Sequence, residues 1–240
     1  MEGAALVTGG AKRIGRAVAL ALARKGYDLG IHYNTSGARA EELAAEIGSL
    51  GRQCELFQFD LADAKSLPLL IERAFEALPN CSVLVNNASV FERVGFMDTD
   101  EALFDRMIAI NFKAPFFLSQ HFVRRCGPGA AAQIINLLDT QITRNFTQYF
   151  VYALSKKAMA EFTRMAAREL GPAVRVNGVC PGLIAAAAGS SQESFRKMAS
   201  RIPAKRTGEP RDVAEAVLYL LDSDFVTGEC IFVDGGEHLT

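Results

Sequence analysis

Tyr152 and Lys156 stand four residues apart in "YALSK". The surrounding stretch, "FVYALSKKAMAEFTRMAAREL", has the apolar spacing of a helix. On a helix, residues four apart stack on one face. A phenol with an unperturbed pKa near ~10 is a poor acid-base group at neutral pH. An ammonium beside it lowers that value by stabilising the phenolate. The pair therefore suits a proton donor and its tuner, although a surface helix face carries the same spacing. Upstream, "IINLLDTQ" reads as a buried strand that stops at a carboxylate, Asp139. Asp suits a helix cap or a turn at such a place. It also suits a catalytic acid.

A second group of residues has the makings of a nucleotide site. "AALVTGGAKRIG" runs from a short apolar stretch into glycines. Gly9 and Gly10 permit a tight turn and close backbone approach. Gly15 lets a following helix pack near the strand, so that its N-terminus faces a pyrophosphate. Thr8, Arg13 and Ile14 belong to the same turn. A βα turn without a ligand carries glycines too. The next apolar run ends in "IHYNTSGAR". An NAD-preferring site usually places an acid there for the ribose 2′-hydroxyl. Here Tyr33, Asn34, Thr35 and Ser36 follow one another, with Arg39 just beyond. Such donors, with the cation of Arg13, suit a 2′-phosphate and so NADP. A solvated polar loop has the same composition. Asp60, followed by Leu61, ends a third run, placed either to accept from an adenine amine or to cap a helix.

Only a particular scaffold brings these stretches together. Short apolar runs alternate with longer helical patterns along the whole chain. "YDLGIHY", "CELFQFD", "CSVLVNNAS", "VRVNGVC" and "ECIFVDGG" are strands like the first and the one before Asp139, and a long helix spans roughly Glu101 to Arg125. Strands joined through helices are parallel neighbours. Strands apolar on both faces lie between helix layers. The expected fold is α/β: one domain over residues 1–240, a Rossmann-type doubly wound parallel sheet of about seven strands with helices on both faces. Ligands of such sheets bind outside the carboxyl ends of the strands. The glycine turn, Asn34 to Ser36, Asp60, the "NNAS" stretch and Asp139 all fall at those ends.

Bulk properties narrow the function. Half of the 240 residues are hydrophobic and the formal net charge is -1, which speaks against nucleic acid or an anionic membrane as partner. No apolar run approaches bilayer length. The start, "MEGAALVTGG", reads as a strand and not as a signal peptide. Cys54, Cys81, Cys126, Cys180 and Cys230 are odd in number and far apart, as reduced thiols of a cytoplasmic protein are. His32, His121 and His238 are scattered, and no metal site is expected.

Over essentially its whole length the chain resembles the short-chain dehydrogenase/reductase family. The resemblance rests on Thr8, Gly9 and Gly15 of the glycine turn, on Asn86, Asn87 and Ala88, on Asn111 in "AINFKAPF", on Tyr152 and Lys156, and on Pro181 and Gly182 after the sixth strand. It implies that Tyr152 donates a proton. Lys156 would lower its pKa and hold the nicotinamide ribose, and Asn111 would support a water-linked relay. Asn87, Ala88, Ser89, Pro181, Gly182 and Leu183 would join the cofactor contacts. Two departures narrow the resemblance. Arg13 stands where the family usually has glycine. Asp139 stands where it usually has a catalytic serine, thirteen residues before the tyrosine. Both changes occur in pteridine reductases and in the related bacterial dihydromonapterin reductases, to which the sequence is similar. That likeness implies that Arg13 reaches the pterin, that Ser89 contacts cofactor and pterin, and that Phe91 stacks on the pterin ring. Gly182 and Leu183 would border the substrate. Asp139 would pair with Tyr152 and help protonate a ring nitrogen. Beside Tyr152 and an apolar lining, its pKa is expected to rise.

The expected activity is NADPH-dependent reduction of a dihydropterin to a tetrahydropterin. The alternatives are reduction of a small ketone, such as a 3-oxoacyl thioester, and a non-catalytic NADPH sensor. "PGLIAAAAGSSQESF" lacks the threonine that family members often carry after Pro-Gly. It belongs to a segment, about 182–210, expected to cover the substrate, as loops of this kind often gate access. Family resemblance further implies a homotetramer. "DGGEHLT" would lie near a subunit contact, with His238 either a substrate contact or a solvated tail residue.

Overall fold

The structure, a computed structural model, describes residues 3–145, 147–184 and 197–240. Seven strands form one sheet: β1 Ala4–Val7, β2 Asp28–Tyr33, β3 Cys54–Gln58, β4 Cys81–Asn86, β5 Ala132–Leu137, β6 Val174–Pro181 and β7 Cys230–Val233. Their order is β3-β2-β1-β4-β5-β6-β7, and every pairing is parallel. The helices are α1 Arg13–Lys25, α2 Gly37–Ser49, α3 Leu67–Ala77, α4 Glu101–Ile108, α5 Ala114–Cys126, α6 Phe150–Leu170 and α7 Pro210–Asp222.

The period of two along each strand divides its side chains between two cores. Ala5 and Val7 of β1, Val83 and Val85 of β4, and Ile135 and Leu137 of β5 face one layer. There they meet Val18 and Leu22 of α1, Leu43 and Ile47 of α2, and Val217 and Leu220 of α7. The residues between them, Ala4, Leu6, Leu84 and Ile134, face the other layer, with Leu70 and Ile71 of α3, Leu118 and Phe122 of α5, and Ala166 and Ala167 of α6. This two-sided burial explains why the strands read as nearly unbroken apolar runs.

The expected long helix is not one regular helix. Between α4 and α5 lies a π-helical turn, Ala109–Lys113, in the middle of which Asn111 is buried. An extra residue in a turn re-aims side chains, and such turns are frequent at functional sites. The expectation missed it because apolar periodicity does not register a single inserted residue. The five cysteines are free thiols, of which Cys81, Cys180 and Cys230 are buried. No helix among the described residues is long and apolar enough to cross a membrane. The alanine run at 185–188 and the rest of 185–196, part of the expected substrate-covering segment, lie outside the described residues.

Candidate active site

A cleft of about 650 Å³ runs over the carboxyl edge of the sheet. At one end are Asn34, Thr35, Ser36, Asp60 and Leu61; at the other are Phe91, Asp139, Tyr152, Lys156 and Gly182. The N-terminus of α1 lies between them, through Arg13, Ile14 and Gly15. Gly9, Tyr33, Asn87, Ala88, Ser89 and Pro181 complete the part of the wall foreseen from sequence. Asn111 is buried beneath, at 2% exposure.

The glycine turn is fastened from below. Thr8 was expected to touch a cofactor, but its side chain is buried and lies outside the cleft wall. Its hydroxyl donates to Val85 O at 3.3 Å and accepts from Asn87 N and Ala88 N at 3.0 and 3.1 Å. Asn87 returns the contact, its Nδ2 donating to Thr8 O at 2.8 Å and Gly9 O at 2.9 Å. The ends of β1 and β4 are thereby locked together. A Cβ on Gly15 would collide with Gly9 O and come within 2.6 Å of Asn87 Nδ2. The missing side chain at Gly15 lets the start of α1 pack directly against the glycine turn, at the wall of the cleft.

His32 is a wall residue that sequence spacing did not single out. Its ring Nδ1 accepts from Gly9 N at 3.1 Å, so Nε2 carries the hydrogen and donates to Phe59 O at 3.1 Å. Burial pushes its pKa down to about 4, partly countered by the bond to Phe59 and by Asp60. The neutral ring is thus the form that supports the turn. Lys12 also lines the cleft. Arg39 does not: it is exposed and pairs with Glu42 at 3.1 Å. Asp60 borders the cleft while its Oδ1 accepts from Ala62 N at 2.9 Å, so the turn-capping reading describes its bond. Leu183 is outside the cleft wall, its carbonyl taken by Gly208 N at 3.0 Å; Ile184 lines the cleft instead.

At the chemical end, α6 presents Tyr152 and Lys156 side by side, with the Lys156 ammonium 5.8 Å from the Tyr152 ring centre. The Tyr152 hydroxyl donates to Asp139 Oδ2 at 2.7 Å. Asp139 Oδ1 accepts from Gln141 N at 2.8 Å. The carboxylate therefore caps a 3-10 turn, Thr140–Thr143, and holds the tyrosine at once. The cap and the acid are one residue with two oxygens. Lys156 donates to Leu137 O at 2.8 Å, where β5 ends. Asn111 Oδ1 accepts from Ser89 Oγ at 3.1 Å and Val90 N at 2.9 Å; its Nδ2 donates to Val90 O at 2.9 Å and Ser155 Oγ at 3.2 Å. Below, Asn86 donates to Asn136 Oδ1 at 2.9 Å and Ser119 Oγ at 3.1 Å, and Asn136 donates to Thr163 Oγ1 at 2.9 Å. This buried chain ties β4, β5, α5 and α6 together under the site.

The proton affinities follow from burial. Asp139 is raised above the usual carboxylate range because burial outweighs its hydrogen bonds and Lys156. Lys156 falls to about 8, burial again outweighing the attraction of Asp139. Tyr152 was expected to be lowered by Lys156. Instead it is raised well above 10, first by burial and then by the adjacent Asp139 carboxylate. A raised phenol keeps its proton at neutral pH, where its hydroxyl is bonded to Asp139. Phe91 stacks on Tyr149 at 4.5 Å and meets Tyr152 edge-on at 4.6 Å. His238 is not a free tail residue: its ring bonds Asp234 and stacks on Phe232 at 4.2 Å.

A family model described as enoyl-(acyl carrier protein) reductase matches residues 9–238, from the glycine turn to beyond β7. The chain belongs to the short-chain dehydrogenase/reductase family. Within it, this oxidoreductase is 32% identical to pteridine reductase 1 of Leishmania tarentolae, over 98% of this chain and 96% of that protein. It is 31% identical to the 3-oxoacyl-(acyl-carrier-protein) reductase FabG of Staphylococcus aureus, over 100% and 99%. Among solved structures, FolM alternative dihydrofolate reductase 1 from Brucella canis, complexed with NADP, superimposes with a TM-score of 0.92 at 32% identity, covering 99% of this chain and 95% of that one. The short-chain dehydrogenase/reductase motifs read from the sequence thus fall on the cleft or directly beneath it.

Proposed function

We propose that this short-chain dehydrogenase/reductase is an NADPH-dependent pteridine reductase, converting a dihydropterin to a tetrahydropterin. The observation that carries this reading is the carboxylate of Asp139, largely buried, raised in pKa and bonded to the Tyr152 hydroxyl at 2.7 Å. Orienting a ketone needs only a hydroxyl at that place; protonating a ring nitrogen needs a group that holds a proton. The Brucella neighbour solved with NADP supports the cofactor, as do the open glycine turn and the polar end at Asn34 to Ser36.

NADPH, when bound, supplies the hydride. Ile14, Ala88 and Pro181 would line its path. Lys12 and Arg13 would neutralise phosphate charge, with Thr35 and Ser36 as hydrogen-bond donors. Tyr152 holds the proton to be delivered, and Asp139 the second site from which a ring nitrogen can be protonated. Lys156 would orient the nicotinamide ribose, and Asn111 would fix the backbone of Val90, beside Phe91. Phe91, backed by Tyr149, offers a flat surface for a heteroaromatic ring. Family resemblance supports a homotetramer.

The test is NADPH consumption with a 7,8-dihydropterin and an acetoacetyl thioester side by side. The expected result is turnover of the pterin, reduced about 10²–10⁴-fold in Tyr152→Phe and in Asp139→Ser while NADPH still binds. Turnover of the thioester alone, with Asp139→Ser unimpaired, would move the function to ketone reduction, the activity in the name of the Staphylococcus aureus relative.

A further inference from the structure

Asp139 opens a segment that is anchored by the far end of the chain. Thr140, the next residue, is 3% exposed, and its hydroxyl donates to Asp234 Oδ2 at 2.8 Å across 94 residues. Asp234 follows β7 and is itself buried. The same Oδ2 accepts from His238 N at 2.7 Å and from the His238 ring Nδ1 at 2.8 Å, while Oδ1 accepts from Gly236 N at 2.9 Å. The other end of the segment is also tied: Arg144 donates to Thr240 Oγ1 at 2.7 Å and lies 3.6 Å from Glu237 Oε1. Residues 234–240 thus grip both ends of 140–144.

This grip bears on the catalytic carboxylate through the chain itself. Asp139 Oδ1 is aimed by Gln141 N, and Oδ2 meets Tyr152. The first bond orients the carboxylate only as well as the turn carrying Gln141 is fixed. Thr140 lies between the two residues, and its side chain is where the turn is pinned. Burying a second carboxylate is costly unless its oxygens are satisfied. The four bonds to Asp234 meet that condition and leave it as a rigid post under Thr140.

We propose that Asp234, acting through Thr140, is a positioning residue that holds the Asp139 carboxylate against Tyr152. The proposal rests on the catalytic reading of Asp139 above. It adds a dependence of turnover on the C-terminal turn, whose residues 234–240 are not part of the cleft wall.

The test compares Thr140→Val, which removes the hydroxyl and keeps the shape, with Thr140→Ser, which keeps the hydroxyl. Both are assayed beside Asp139→Ser on whichever substrate, pterin or thioester, the wild type reduces. Misplacing a catalytic group by about an ångström costs on the order of 10²-fold. Thr140→Val is therefore expected to lower kcat about 10–10²-fold, with KM and NADPH affinity within about twofold, and Thr140→Ser to recover most of it. Asp234→Asn, which keeps the volume and loses acceptors, is expected to show the same split and serves if Thr140→Val does not fold. An unchanged kcat in Thr140→Val or Asp234→Asn, with Asp139→Ser inactive, overturns the positioning role and leaves the catalytic reading standing. Asp139→Ser at full activity overturns both. A parallel loss of kcat, KM and cofactor affinity reduces Asp234 to a fold contact.

Discussion

Arg13 is the residue where backbone and chemistry pull in opposite directions. Its φ is 54°, a left-handed conformation that favours glycine. For a side-chain-bearing residue this costs roughly 1–2 kcal/mol. Strain of that kind persists at functional sites when the surroundings over-determine it. Arg13→Gly is expected to raise thermal stability slightly and to weaken NADPH binding; equal affinity in the variant would remove Arg13 from the site. His32 carries a second residue-scale prediction. Its folded pKa, about 4, lies below the ordinary value of 6.5. The stability contributed by the neutral ring is therefore complete above about pH 6.5 and is lost as pH falls toward 4, by on the order of 3 kcal/mol if the shift is fully expressed. His32→Gln keeps a donor and an acceptor and does not titrate. Between pH 7 and 4.5 its melting temperature should fall less than that of the wild type, and parallel curves would contradict the assignment. Spacing disclosed the Tyr152–Lys156 pair because four residues make one helical turn. It did not disclose His32, whose partners are Gly9 and Phe59, 23 and 27 residues away.

Two elements set the site's geometry. The first is the strand-turn-helix unit of β1 and α1. Its glycines were legible because a tight turn against a helix N-terminus tolerates few other residues. That Thr8 would face the β4 backbone and not the cleft was not legible, because strand residues alternate faces and the turn's twist decides which side the last one takes. Gly15→Ala places a methyl group against Gly9 O and Asn87 Nδ2. Overpacking of this sort costs about 1–3 kcal/mol, expressed mainly in the turn. NADPH affinity is expected to drop tenfold or so, with the far-UV circular dichroism of the sheet and helices unchanged. The second element is the helix pair α4–α5 with its π-helical turn. "AINFKAPF" revealed Asn111 by motif alone. The extra residue in the turn became visible only in the backbone, and it aims Asn111 at Val90 and Ser155.

At the scale of the molecule, the cofactor cleft spans the carboxyl ends of strands from both halves of the sheet, so occupying it should stiffen the whole fold. NADPH at about 100 times its dissociation constant is expected to add about 2.7 kcal/mol to stability. NADPH should raise the melting temperature more than NADH at equal concentration, since Asn34, Thr35 and Ser36, and no acid, stand at the end of β2 where a ribose hydroxyl would be bound; a larger shift with NADH would contradict the polar end formed by Asn34 to Ser36. The sequence by itself determined the doubly wound sheet and the position of the site along its edge. Alternating apolar runs and helical periods dictate parallel strands between helix layers, and ligands of such sheets bind at the strand ends. It also determined the family motifs, because those are local. Only the tertiary structure decided the state of the chemical groups. Whether Tyr152 is lowered by Lys156 or raised by Asp139 depends on how deeply each is buried and which lies nearer, and burial is a property of the packed chain. The bond between Thr140 and Asp234 likewise joins residues 94 apart, a separation at which no local pattern carries information.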